Sequence, residues 1–273
     1  MPVKRMGFDA SAFDPRRYDY LARLSKPSLA WECVRRNTRL HRDALHCRAG
    51  APRPFRTSAG ITLYRLRRSF AAAEAWGLHW IADPALSARQ TIPLWRAEML
   101  SGSCRLGVSA APILHGQPLT ARAIRAAKHL VVPAFGVPEL IVESAGHDGH
   151  FLLEGLPPLL TSEFYLDIEL GAFLQFKRQI ESASALHAMV AASAFSPWRE
   201  RAFGPQRLRR ALIAYDIRRE FGGSHWDVAR ILYGSDEVEW ARRRGTTAPR
   251  DRARRALKMG ERFVQREWSR LLA

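Results

Sequence analysis

The sequence predicts an α+β protein: a small N-terminal helical module, a central antiparallel β-rich subdomain and a C-terminal all-helical helix-turn-helix bundle. Three observations predict it. Apolar residues recur at helical spacing near both ends of the 273-residue chain, and in short β-type runs through the middle. Helix caps and Gly or Pro stops punctuate the two ends, whereas turn residues recur about every ten positions in the middle. Charge divides the same way. Residues 1–128 hold 22 Lys+Arg against 8 Asp+Glu, residues 129–185 hold 2 against 8, and residues 199–273 hold 19 against 10. The expected domains are 1–60 (helical module with linker), 61–195 (central α+β domain) and 196–273 (helix-turn-helix domain).

Along the chain, residues 1–15 read as a polar tail. Asp14-Pro15 opens a helix over Arg16–Leu24, with Tyr18 and Leu21 on its apolar side. Pro27 suits the first turn of a second helix carrying Leu29, Trp31, Cys33 and Val34, closed by Asn37. A third short helix is expected over Leu40–His46, then a loop over 48–60, then a helix over Leu63–Gly77. The runs Arg105–Ile113, Lys128–Val132, Glu139–Glu143, Phe151–Glu154 and Phe164–Glu169 read as strands of an antiparallel sheet or small barrel. Asp148-Gly149 reads as a hairpin turn flanked by His147 and His150. Helix returns over Ala172–Phe195, as one long apolar-faced helix or two shorter ones.

The C-terminal third carries the strongest local signals. Pro205–Phe221 places Leu208, Leu212, Tyr215 and Ile217 on one helix face, with Arg207, Arg209, Arg210, Arg218 and Arg219 on the other. Gly222-Gly223 stops that helix. Ser224 with Asp227 three residues later has capping-box spacing, Asp standing in for Glu, and starts a helix ending at Tyr233-Gly234. A short helical turn over Asp236–Arg243 follows. Thr246-Thr247-Ala248-Pro249 then opens a basic helix running to about Leu271.

A short capped helix, a glycine and then a basic helix is the layout of a helix-turn-helix reader. Such a reader enters the major groove with donors on its first turns. Arg250 and Arg254 share a face that Lys258 and Arg262 continue, and this face is expected to read bases. Arg252 and Arg255 are expected on phosphates, with Arg207, Arg209 and Arg210 holding the backbone. Ser224, His225, Thr246 and Thr247 at the helix starts complete the candidate DNA-binding set. Arg35, Arg36 and Arg39 form a possible second contact to DNA or to a partner. Arg65, Arg67 and Arg68 have two readings, DNA backbone or the acidic middle of the same chain.

The net charge of +17 favours a polyanionic partner. The three cysteines have neither CxxC nor metal-ligand spacing, so no metal, cofactor or disulfide is expected. No secretory or membrane-spanning segment is expected, which points to the cytoplasm. Gly-rich phosphate loops, Gly-x-Ser-x-Gly and His-Glu-x-x-His are missing, so no enzyme and no catalytic residue is expected. Glu143, Glu154, Asp167 and Glu169 read as solvent-facing rather than as a nuclease site.

Tyr20-Leu21-Ala22-Arg23-Leu24, Leu29-Ala30-Trp31-Glu32 and Arg35-Arg36-Asn37 together resemble the short regulator module of proteobacterial mobile elements. His79-Trp80-Ile81-Ala82-Asp83-Pro84, the helix at 207–212, Trp226 to Gly234 and Arg250 to Arg255 resemble its companion domain. Both together are similar to FseA-type activators of integrative and conjugative elements. That resemblance implies a C-terminal helix-turn-helix on double-stranded promoter DNA, switching on excision genes, and restraint by a small antiactivator protein. RNA polymerase is a further expected partner, met through the middle domain or the N-terminal module. A partition or replication-initiation protein, and a pure interaction module without DNA binding, remain alternatives. The sequence leaves the oligomeric state open.

Overall fold

A computed structural model describes residues 13–48, 50–113, 116–144, 147–155, 160, 163–171, 175–191 and 205–273. It is mixed α+β, with helices towards both ends and a mixed sheet between them. A 3-10 helix (Pro15–Arg23) comes first. Helices α1 (Lys26–Val34) and α2 (Thr38–Cys47) follow, then strands β1 (Phe55–Arg56) and β2 (Thr62–Arg65) and the single turn α3 (Ala71–Glu74). Next come β3 (Cys104–Ser109), β4 (Ala127–Val132), β5 (Glu139–Ser144), β6 (His147–Glu154), β7 (Tyr165–Glu169) and α4 (Phe176–Ala191). The last helices are α5 (Pro205–Glu220), α6 (His225–Tyr233), α7 (Ser235–Arg243) and α8 (Ala248–Gln265), with a final 3-10 turn over Glu267–Leu271.

The contacts gather into two compact units, neither of them one continuous stretch of chain. Residues 13–24 join 205–268, and residues 25–191 join 269–273. This grouping differs from the three-way division at 60 and 195. The first helix buries Tyr18 and Leu21 with the C-terminal helices rather than with α1 and α2.

In the larger unit, Ser25 caps α1 by accepting a hydrogen bond from the Ser28 amide at 3.3 Å, with Pro27 in the first turn. Asn37 does not close α1 in a left-handed conformation. Its backbone is extended and its side chain accepts from the Arg39 amide at 2.9 Å, so it caps the start of α2. Trp31 is fully buried and its indole N–H donates to the Leu86 carbonyl at 3.1 Å, so it serves as a core anchor.

The sheet has seven strands in the order β1-β2-β4-β5-β6-β3-β7. It is mixed rather than antiparallel: β2 runs parallel to β4, and β3 parallel to β6. Alternation of side chains reports the faces of a strand but not its direction. The long connections that bring β2 to β4 and β3 to β6 permit parallel pairing. The expected helix over Leu63–Gly77 is corrected. Thr62-Leu-Tyr-Arg is strand, turned back on Phe55-Arg56 through Gly60 at φ +78, and only Ala71–Glu74 is helical. β-branched and aromatic residues at 61–64 outweigh the alanine run that follows. Helix α4 covers the middle of the stretch expected to be helical over 172–195, whose ends lie outside the described residues. One face of the sheet, with Leu106, Leu130, Leu140, Val142 and Phe151, packs with Leu186 and Met189 of α4 into the core.

The opposite face mixes polar groups with buried Val131 and Ile141. Asp148 and Gly149 are not a turn; they lie in β6 opposite Glu143 and Val142 of β5. His150 is likewise a buried strand residue, not a turn flank, and burial next to His79 lowers its pKa to about 3. Glu139 is buried too, receiving the Ala97 amide at 3.0 Å and lying 2.9 Å from His79 Nε2. Glu143 is half-buried, which raises its pKa, so it does not face solvent as expected.

The Asp148 carboxyl is enclosed although the residue as a whole is half-buried. The Ser25 hydroxyl donates to one oxygen, and the other has no partner among the described residues. Burial raises its pKa to about 7, against the lowering effect of the Ser25 hydrogen bond. A carboxyl with a raised folded pKa stabilises the fold fully below its unfolded value. That contribution is lost as pH rises through the folded value. Asp148→Asn is therefore expected to match the parent near pH 4. At pH 8 it should be more stable by about 1–4 kcal/mol, the span of up to three pKa units. Urea midpoints at the two pH values measure this, and equal shifts at both would contradict it.

Candidate nucleic-acid interface

In the smaller unit, α5 is buried from Ala211 to Ile217, and its core position lets it take neighbours on several sides. Helices α6 and α8 pack on it, and so does the 3-10 helix of residues 15–23. Gly260 of α8 lies against α5. A Cβ there would run into the Ala211 carbonyl oxygen and sit 3.0 Å from Tyr215 Cβ, so only glycine permits this crossing. The 3-10 helix is fixed by the Tyr18 hydroxyl, which donates to the buried Asp216 carboxylate at 2.5 Å. Phe13 packs edge-on against Phe221, and Arg17 lies over the rings of Phe13, Tyr18 and Phe221.

Helix α6 starts on a complete capping box. The Ser224 hydroxyl receives the Asp227 amide at 3.2 Å, and the Asp227 carboxylate receives the Ser224 amide at 2.8 Å. Ser224 is thus committed to the cap, and His225 is half-buried beside it. Gly234, at φ +93, separates α6 from α7. Helix α8 has Pro249 in its first turn. The Thr247 hydroxyl does not cap the backbone but donates to the Asp251 carboxylate at 2.8 Å. That bond, with Arg254 and Arg250 nearby, holds the Asp251 pKa below its usual range. Thr246 Oγ1 receives the Ala248 amide at 3.4 Å.

Helix α8 is two-sided, as its 3.6-residue period requires. Ala253, Ala256, Leu257, Gly260, Phe263 and Val264 are buried. Arg250, Arg254, Arg255, Lys258 and Arg262 are exposed on the other side. Arg250 and Arg254 stand 4.0 and 3.7 Å from Asp251, and Arg262 stands 3.9 Å from Glu267. These loose, solvated pairs hold the guanidinium groups only weakly. Arg252 differs. It pairs with Glu237 of α7 and lies 4.3 Å above the Tyr233 ring, which ties α8 to α6 and α7.

On α5, Arg207 and Arg210 are exposed. Arg209 is engaged by Asp19 at 2.6 Å and by the Pro15 carbonyl at 2.9 Å, so it fastens the 3-10 helix. In the larger unit, Arg35 and Arg36 converge on Glu32 at 2.7 and 2.9 Å. Glu32 is wholly buried and also receives the Ala88 amide at 2.7 Å. Burial drives its pKa up, but Arg35 and Arg36 together with that amide drive it lower still, leaving it below the usual carboxylate range. Arg39 is exposed, 3.7 Å from Asp43.

The Tyr18–Asp216 contact and the Glu32 triad were not found by sequence reasoning. A lone carboxylate inside the apolar run Ala211–Ile217 is the one signal that pointed to the first. Among the described residues no group of three or more His, Cys, Asp and Glu is placed to hold a metal ion. No described helix is long and apolar enough to cross a membrane. Glu154, Asp167 and Glu169 are exposed, and Glu154 pairs with Arg105 at 2.6 Å.

No curated protein matches the chain. Residues 13–80 match the family model of a proteobacterial transcriptional regulator-like domain, which suggests a regulatory role.

Proposed function

We propose that the chain is a sequence-specific DNA-binding activator of transcription from a mobile element. In this reading it switches on excision and transfer genes and is restrained by a small antiactivator protein. The observation that carries the DNA-binding part is the exposed stripe Arg250, Arg254, Lys258 and Arg262, on a helix whose other side is fixed to α5 and α6. A rigid helix with one basic face suits the major groove. Arginine forks bond guanine edges bidentately, and each good pair gives about 1–3 kcal/mol of discrimination. Arg207, Arg210 and Arg255 are exposed and suited to phosphates, which set register without reading sequence. The regulator-like match over residues 13–80 supports the regulatory part. The larger unit would meet the antiactivator or RNA polymerase.

The test is binding of the full chain to its own upstream DNA and to random duplex across a salt series. The parent is expected to prefer one upstream site by roughly a thousandfold or more. Arg250→Ala with Arg254→Ala should remove that preference while general binding persists. Equal loss on both DNAs would leave these side chains a phosphate role only. Absence of binding at low salt would favour the interaction-module alternative.

A further inference from the structure

Between Ala44 and Ala73 the sequence holds six arginines and no acidic residue. All six (Arg48, Arg53, Arg56, Arg65, Arg67 and Arg68) are exposed. They sit on the β1–β2 hairpin and the segments on either side of it, at one edge of the seven-stranded sheet. The sequence left two readings for Arg65, Arg67 and Arg68, DNA backbone or the acidic middle, and for Arg65 and Arg67 the contacts favour the first. Among the described residues, Arg48, Arg53, Arg56, Arg65 and Arg67 form no ion pair with any carboxylate of the acidic middle. Three carboxylates of that middle stretch are engaged elsewhere: Glu139 near His79, Asp148 with Ser25, and Glu154 with Arg105. The contrast with the C-terminal helices is direct, where Arg209, Arg230, Arg242 and Arg252 each have an acidic partner.

The rest of this edge adds positive charge. Arg122 donates to the Ser58 carbonyl in the hairpin turn at 3.0 Å. Arg56 is also close enough to the Lys128 ammonium to help lower its pKa, after burial. Lys128 itself is held by the Ile124 and Ala126 carbonyls rather than by an anion. Phe55, 63% exposed, projects between Pro54 and Arg56. A charge or two on an edge strand is explained by protection against strand pairing. Six arginines spread over the hairpin, the preceding loop and the end of β2 exceed that need. Arginine without acids matches a sugar-phosphate backbone.

We infer that the β1–β2 edge is a second nucleic-acid contact, in which Arg53, Arg56, Arg65 and Arg67 grip the phosphates of duplex DNA without reading its sequence. This contact stands apart from base reading by α8 and does not depend on it.

The experiment uses the full chain with Arg53, Arg56, Arg65 and Arg67 all changed to Ser, and random and upstream duplexes as probes. Each lost phosphate contact flattens the slope of log affinity against log salt by about 0.9, so the expected change is roughly 2–4. The loss should be equal on both duplexes, leaving any preference between them intact. The corresponding four Arg→Lys changes should retain the slope. Loss of preference with an unchanged slope is the signature of a failed α8 and not of this edge. An unchanged slope in the Ser variant, with its thermal midpoint preserved, would overturn the inference and favour an acidic protein partner. Should the Ser variant unfold, Arg56→Glu and Arg65→Glu are read singly on the same slope, where no change would likewise overturn it.

Discussion

Gly260→Leu is expected to unfold the C-terminal helical unit or to loosen its packing. Position 260 is where α8 crosses α5, and any Cβ meets the Ala211 carbonyl. Backbone cannot step aside as a flexible side chain does, so the helices must separate. Overpacking of a tight core typically costs about 1–3 kcal/mol for modest insertions, and four added carbons lie at or beyond the upper end. Gly260→Ala is the informative partner. Alanine gains about 1 kcal/mol of helix propensity over glycine, which offsets part of the clash, so a smaller loss is expected. Urea midpoints with duplex binding measure both. A leucine variant as stable as the parent would mean the helices do not approach this closely.

Glu32→Ala carries the other large effect. The mutation leaves Arg35 and Arg36, 17% and 9% exposed at their side chains, facing each other without the buried carboxylate between them. It also strips the Ala88 amide of its acceptor. Removing one partner of a buried ionic group typically costs about 3–5 kcal/mol. The sign with pH is set by the depressed pKa. The carboxylate stabilises the fold above its unfolded pKa, and that contribution is lost as pH falls through the lower folded value. The parent should therefore lose stability on acidification below about pH 4–5, and the variant should lack that component. A variant with parental stability at pH 7 would sink the assignment.

These two sites show what a linear sequence reveals. The C-terminal helices were legible because their boundaries are local: Ser224 with Asp227, Gly222-Gly223, Gly234 and Pro249 act within one turn. The buried and exposed sides of α8 followed from its period alone. Strand direction was not legible, because β2 and β4 are paired by a long connection that alternation does not encode. Asp148-Gly149 misled because a strong local turn signal yielded to pairing with Glu143 and to a hydroxyl from Ser25. Within the candidate interface, the sequence identified the arginines but not which of them are already spent. Arg209 and Arg252 depend on Asp19 and Glu237, and Arg35 and Arg36 on a glutamate whose burial shows only in three dimensions.

The Tyr18–Asp216 bond spans 198 positions, which bears on the order in which the protein is made. At about 5–20 residues per second, a ribosome takes roughly 10–40 s to travel that far. Through that interval Tyr18 and Leu21 have emerged but the helix that covers them does not yet exist. The larger unit can collect most of its sheet meanwhile, whereas the helical unit closes only once its last helix, α8, has been made. The fold of that unit is thus completed late and all at once, and a truncated nascent chain ending before α5 carries an N-terminal helix whose Tyr18 and Leu21 have nowhere to dock.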